Sequence, residues 1–318
     1  MESSALPTVS VVIPVFNGER FIAEAIQSVL DQTFRDFEII VVDDGSTDAT
    51  ERIVRQFSGS LSSYHRQKNC GVGVARNLGV ECSKGEWIAF LDADDVWYPT
   101  KLADQLYFTS THRDCSFVYS DMDIIDLDGS LVQRSCLSAK IARRKKQRDL
   151  INTAFNGGPF PYPSTVLLKR DLFLKAGGFC PLFRHNYHED FELFARLAHV
   201  IPIHFMGQSL VKYRRAPKRK TVGGSSEENW RILLTRLAEL WRDDAERLEL
   251  VKWLLDKHSS DEGKDLLRSG DWVNARNCFQ MVFWRRPFYF KNLRRLGLSY
   301  LPYARELYGR RKSRDRAG

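Results

Sequence analysis

The sequence predicts an α/β fold: a mostly parallel sheet flanked by helices, followed by a C-terminal α-helical extension. Three observations carry that prediction. The first hundred residues alternate apolar, β-branched runs with segments of helical spacing. The breaks between them are short and rich in Asn, Gly, Asp and Ser. From Glu227 to about Arg310 the pattern becomes helical and stays so.

Val9–Val15 is a continuous run of the kind buried on both faces of a sheet. Asn17 and Gly18 break it, and Phe21, Ile22, Ala25, Ile26, Val29 and Leu30 then recur at helical spacing. Phe37–Val42 is a second buried strand, ended by Asp43-Asp44-Gly45-Ser46. Ser46 or Thr47 is placed to cap a helix carrying Ile53, Val54 and Phe57. Trp87–Leu91 is a third strand, ending in Asp92-Ala93-Asp94-Asp95. Strands and helices alternating over short connections imply parallel pairing with right-handed crossovers. Ligands in such sheets sit beyond the carboxyl ends of the strands. Pro14–Asn17, Asp43-Asp44 and Asp92–Asp95 therefore mark one edge as the site.

Further on, Ser116–Ser120 reads as a strand, Asp126–Gly129 as a hairpin turn and Asn156–Pro163 as a loop. Lys140–Arg148 holds six basic residues in nine and reads as exposed. Phe191–Leu197 reads as a helix opened by Glu189-Asp190. Arg214–Lys220 and the following Gly223-Gly224-Ser225-Ser226 read as a basic loop at a boundary, giving domains 1–226 and 227–318.

The net charge of +8 is uneven. From Trp272 to Gly318 there are 12 basic and 2 acidic residues, which leaves the preceding 271 residues two charges negative. A near-neutral body argues against coating by nucleic acid, and no RNA-binding motif is visible. The six cysteines are too far apart for a zinc knuckle or redox pair, and they suit free thiols in a reducing compartment. The first residues lack the pattern of a signal peptide, and no stretch approaches the ~20 apolar residues that span a bilayer. A cytoplasmic protein is expected.

Each polar cluster admits two readings. Asp92-Ala93-Asp94-Asp95 either gathers a divalent cation, Mn²⁺ or Mg²⁺, or forms an acidic turn. Asp43-Asp44 either accepts a hydrogen bond from a ribose or base, or closes a turn. In Gly71-Val72-Gly73-Val74-Ala75-Arg76-Asn77, Arg76 stands where a dinucleotide fingerprint needs glycine. It aims a cation at a phosphate or at the acidic cluster, or it makes an internal salt bridge. Glu189-Asp190 supplies a proton acceptor or merely suits a helix start. His185 and His188 read as surface histidines.

Together these segments become specific. VSVVIPVFNGERFIAEAIQSVLDQTFRDFEIIVVDDGSTDAT, GVGVARNLGV, GEWIAFLDADDVWYPTKL and a GGF followed by HEDFELFARLA resemble, in order and spacing, the family 2 glycosyltransferases. The resemblance runs from Val9 to about Tyr213, roughly two-thirds of the chain. It implies the Rossmann-like GT-A fold and an inverting, metal-dependent hexosyltransferase-type enzyme. The donor it implies is a nucleotide-diphosphate sugar, and the acceptor a saccharide or lipid-linked hydroxyl. By that analogy Pro14, Val15 and Phe16 line the base pocket, Asp44 contacts the base, and Arg76 lies near the nucleotide. Asp92 and Asp94 match the DxD element, with Asp94 the direct metal ligand. Asp190 matches the catalytic base, with Glu189 a supporting neighbour. Many relatives place a His two residues after the Arg that follows the last core strand; here Tyr213-Arg214-Arg215-Ala216 has none. Either Arg214, Arg215 or Lys218 supplies charge to the donor, or the stretch is a solvated basic loop. The setting implied is bacterial cell-surface polysaccharide or glycolipid assembly. The rival functions are a nucleotidyltransferase and a non-catalytic donor-binding scaffold.

Phe283–Lys291 interleaves aromatics with cations, and Arg294, Arg295 and Arg310–Arg316 follow. Such a tail suits an anionic membrane surface on the cytoplasmic side, or the core and solvent face of a small helical domain.

Overall fold

The first strand, β1 (Val9–Val15), is buried at all seven positions, as its two-faced apolar sequence requires. On one side β2 (Phe37–Asp43) pairs with it in parallel and β3 (Ser63–Arg66) in turn pairs in parallel with β2; on the other side, β4 (Trp87–Phe90) pairs with β1 in parallel. Helices α1 (Ile22–Leu30), α2 (Thr50–Arg55) and α3 (Val72–Glu81) make the crossovers. The chain leaves β1 towards β2 and returns to its other side as β4. That reversal places a topological switch point between the carboxyl ends of β1 and β4. The computed structural model describes residues 6–142, 160–183, 188–215, 225–269 and 271–285.

Beyond β4 the sheet becomes mixed. Its remaining strands are β5 (Val96–Trp97), β6 (Phe117–Ile125), β7 (Leu131–Gln133), β8 (Val166–Lys169) and β9 (His204–Arg214). The order is β3-β2-β1-β4-β8-β6-β9-β5, with β7 on β6. Because β8 is antiparallel to β4 while β6 and β9 run parallel to each other, the start of β8 and the end of β9 reach the same edge as the ends of β1, β2 and β4. Helices α4 (Lys101–Thr111), α5 (Cys136–Ala142), α6 (Arg170–Lys175) and α7 (Glu189–Val200) complete this unit.

Two expectations change in detail. The strand expected at Ser116–Ser120 continues to Ile125, through Asp121 and Asp123. Both carboxylates are buried yet satisfied: Asp121 accepts from the Leu137 and Ser138 amides at 2.8 and 2.9 Å, and Asp123 from the Ser135 amide and Tyr98 hydroxyl at 2.8 and 2.9 Å. A carboxylate so paired can sit in a strand interior. Neither Ser46 nor Thr47 caps α2. The Ser46 hydroxyl accepts from the Asn17 amide at 2.9 Å, and Asp48 instead accepts from the Thr50 amide at 3.0 Å.

The chain divides into compact units at Leu233/Leu234, within α8 (Ser225–Leu240). In the second unit, α9 (Ala245–Ser269) and α10 (Trp272–Arg285) share a core of Leu267, Ala275 and Phe279. Asp271 starts α10 by accepting from the Asn274 amide at 3.2 Å. The basic run from Arg143 to Arg148, His185, Lys218 and the tail from Arg286 onward lie outside the described residues. No described helix is long and apolar enough to cross a membrane.

Candidate active site

The turn after β2 shows why two acidic residues end that strand. Asp43 closes the turn, accepting from the Ser46 amide at 2.7 Å and from the Tyr64 hydroxyl at 2.8 Å. Asp44 accepts from the Gln67 side chain at 2.7 Å and from the Cys70 and Gly71 amides at 2.9 and 2.8 Å. Its carboxylate thus secures the segment that leads into α3.

The GVGVARN segment packs α3 against three other pieces. Gly79 lies so close to β1 that a Cβ would stand 2.3 Å from Val12. Gly73 makes room for Phe179 and Glu189, which a Cβ would meet at 3.2 and 3.4 Å. Asn77 pairs with Phe179 as a strand neighbour would, donating to its carbonyl at 2.8 Å and accepting from its amide at 2.9 Å. Gly177 and Gly178 turn the chain at positive φ ahead of that pairing. Arg196 in α7 grips Glu192 through two hydrogen bonds of 2.8 Å and caps the Gly178 carbonyl at 2.6 Å. The sequence segments that travel together are therefore in mutual contact.

Arg76 is the hinge of the site. It is 3% exposed, and its guanidinium bridges Asp92 at 2.6 Å and Glu189 at 2.9 Å. Burial lowers its proton affinity, but Asp92 and Glu189 outweigh burial and hold it raised. Its Nε is buried without a hydrogen-bond partner. Beside it, burial and then the Glu189 charge push Asp190 up to about 7, while Arg76 pulls the other way. Asp94 is raised to about 6 by burial and by the Asp92 charge. Asp95 points into the fold, accepting from the Ser164 hydroxyl at 2.6 Å and the Arg214 amide at 2.9 Å. His188, immediately before Glu189, holds φ at +73°, an uncommon conformation for a non-glycine residue and one that gathers at functional sites.

Pro14, Val15, Phe16, Asp44, Arg76, Asp92, Asp94, Glu189 and Asp190 all line one cleft of about 1090 Å³ at the switch point. Arg214 does not line it. Its side chain is 3% exposed, with Nε donating to the Asp94 carbonyl at 2.8 Å and Nη2 paired with Glu24 at 2.5 Å. It also stacks 4.4 Å from the Phe21 ring. It braces the DADD turn from behind, and its charge is already spent.

Sequence reasoning assigned no role to Phe160, Tyr162, Phe191 and Tyr213, which wall the cleft, and His188, expected as a surface histidine, is half-buried in the same wall. Phe160 and Tyr162 belong to a stretch read only as a loop, and the strand reversal that brings them to the cleft has no local signature. A second, more open cleft of about 740 Å³ includes Trp87 and Lys169 at the other end of β4 and β8, and no candidate residue lines it.

Among the described residues, no group of three His, Cys, Asp or Glu side chains is arranged to hold a metal ion. The available donors are the hard oxygens of Asp92 and Asp94. Mg²⁺ and Mn²⁺ commonly take one or two carboxylates and complete their shell with water and substrate phosphates. The pair therefore fits a cation shared with a diphosphate, and not one caged by protein alone.

The fold is shared widely. Staphylococcus aureus TarS 1-349 in complex with UDP-GlcNAc superposes with a TM-score of 0.67 at 22% identity, over 95% of this chain and 92% of that one. The mannosyltransferase PcManGT of Pyrobaculum calidifontis, in complex with GDP-Man and Mn²⁺, gives 0.57 at 16% identity, over 96% and 84%. The protein is thus a GT-A-type α/β protein with C-terminal helices. The family model for glycosyl transferase family 2 matches residues 10–176, over half the chain. An uncharacterized glycosyltransferase of Rickettsia prowazekii is 33% identical over 215 residues, 65% of this chain and 64% of its own length. A Bacillus subtilis glycosyltransferase named for teichuronic acid biosynthesis is 39% identical over 127 residues, 39% of this chain and half of its own. The chain belongs to glycosyl transferase family 2.

Proposed function

We propose that this chain is an inverting glycosyltransferase that moves a sugar from a nucleotide-diphosphate donor to a hydroxyl acceptor, with a divalent cation at Asp92 and Asp94. One observation carries the reading: Asp190, held to a proton affinity of about 7, lines the same cleft as the Asp92–Asp94 pair. A base near neutral pH can take up a hydroxyl proton without being permanently protonated. Pro14, Val15 and Phe16 form the wall for the nucleobase, and Asp44 fixes the loop that closes it. Arg76 keeps Asp92 and Glu189 in place and adds positive charge beside the leaving diphosphate. Asp190 accepts the acceptor's proton while the anomeric carbon inverts. A bound cation, Mn²⁺ or Mg²⁺, would neutralise charge on the departing diphosphate.

The Bacillus relative's name supports cell-surface polysaccharide assembly as the setting, on the cytoplasmic side where nucleotide sugars are made. Diphosphate release from a panel of nucleotide sugars with Mn²⁺ tests the reading. Asp94→Ala and Asp190→Ala should both lose transfer, and Asp190→Ala should still bind donor. Normal transfer by Asp190→Ala would refute the mechanism.

A further inference from the structure

The charges and rings of the cleft point to one kind of acceptor. Among the described lining residues there are five carboxylates, Asp44, Asp92, Asp94, Glu189 and Asp190, against a single formal cation, Arg76. That cation is already bound to Asp92 and Glu189. An anionic acceptor would enter a field of its own sign with no uncommitted Lys or Arg among those residues to receive it.

The wall next to Asp190 is aromatic. Phe191, the residue after the base, stacks on Phe160 with centroids 4.5 Å apart and planes 21° from parallel. Tyr162 meets Tyr213 edge to face at 5.2 Å and 60°. All four rings line the cleft and remain partly exposed, so they keep apolar surface for a ligand. An electron-rich ring face attracts the slightly positive C–H bonds that a pyranose presents on its flat side. The sugar's hydroxyls then project from its edge, where a neighbouring carboxylate can reach one. A linear polyol phosphate has no such face, and it brings the wrong charge.

We propose that the acceptor is an uncharged pyranose, seated by its C–H face on the Phe160–Phe191 and Tyr162–Tyr213 wall with one hydroxyl directed to Asp190. This rests on the transferase reading of the cleft, and the test separates the two. Full-length protein is first titrated with nucleoside diphosphates and Mg²⁺. Saturation-transfer NMR on the nucleotide-loaded protein then compares a methyl glucopyranoside, a methyl glucuronide and ribitol 5-phosphate.

The neutral pyranoside should give the strongest transfer, onto its ring C–H protons, the glucuronide less, and ribitol 5-phosphate none. Phe160→Leu and Phe191→Leu keep apolar volume and lose the ring; each should weaken pyranoside binding at least fivefold while nucleotide affinity and melting temperature stay near wild type. Equal or stronger binding of ribitol 5-phosphate, or pyranoside binding indifferent to both substitutions, would overturn the pyranose acceptor and leave the donor site standing. Failure of every nucleoside diphosphate to bind would overturn the transferase reading, and the acceptor proposal with it.

Discussion

Asp190 keeps its proton to about pH 7 because its carboxylate is buried next to Glu189, and Arg76 compensates only in part. Two consequences follow for a base so placed. Transfer should rise about tenfold per pH unit below about pH 6 and level off above about pH 8, as a pH profile of kcat/KM will show. The stability effect has the opposite sense. Between the usual aspartate range and about 7 the folded chain holds a proton that the unfolded chain has released, so stability falls as pH rises through that window. Asp190→Asn should remove that loss, gaining about 3 kcal/mol on wild type between about pH 5 and about pH 8 in chemical denaturation. Arg76→Met leaves Asp92 and Glu189 without their shared cation in a buried site. Breaking such a cluster costs about 3–5 kcal/mol, so the variant should melt well below wild type, and Arg76→Lys should recover only part of the loss. Arg76 was legible as a cation aimed at acidic groups. That it serves Asp92 and Glu189 at once was not, because 113 residues separate Arg76 from Glu189.

At the scale of elements, α3 links the sheet to α7, whose first turn carries Glu189 and Asp190. Within α3, Gly79 lets Val12 of β1 approach. Gly79→Ala would need a Cβ 2.3 Å from a β1 side chain, and such overpacking costs about 1–3 kcal/mol. A denaturant midpoint lowered without a change in slope would show it. In the parallel half β1, β2 and β4 were readable because each is a largely buried apolar run, and α1 and α2 because each shows its period; β3, only partly buried along its four residues, was not. In the mixed half only the start of β6 was readable, since β8 and β9 are short or interrupted and owe their places to distant partners. Ser164 shows the consequence: its hydroxyl donates to Asp95 and accepts from the Asp92 amide at 3.0 Å, bracing the DADD turn from a segment with no motif of its own.

For the whole molecule, the cleft's surplus of carboxylates means that an anionic donor and a cation should bind together. A nucleoside diphosphate with Mg²⁺ at about a hundred times its dissociation constant should add about 2.7 kcal/mol of stability. Adding EDTA should remove most of that shift, whereas either component alone should give little. Melting curves on the four mixtures decide this. The basic C-terminal residues carry a separate expectation, that the chain sediments with anionic vesicles and releases them as salt rises; sedimentation unaffected by vesicle charge would dismiss it.

Local sequence pointed to three of the four strands in the parallel half and the edge at which they end, because buried strands, turn residues and clustered carboxylates are written into neighbouring positions, and with the family resemblance it named nine residues that line the cleft. It could not tell that Arg214 is used up behind the DADD turn, that Asp44 is tied to the loop before α3, or that aromatic rings from residues 160 to 213 line the same cleft as Asp190. Those depend on which distant segments the sheet order brings together, and on how burial and neighbouring charge then set each group's proton affinity. Only the tertiary structure decides both.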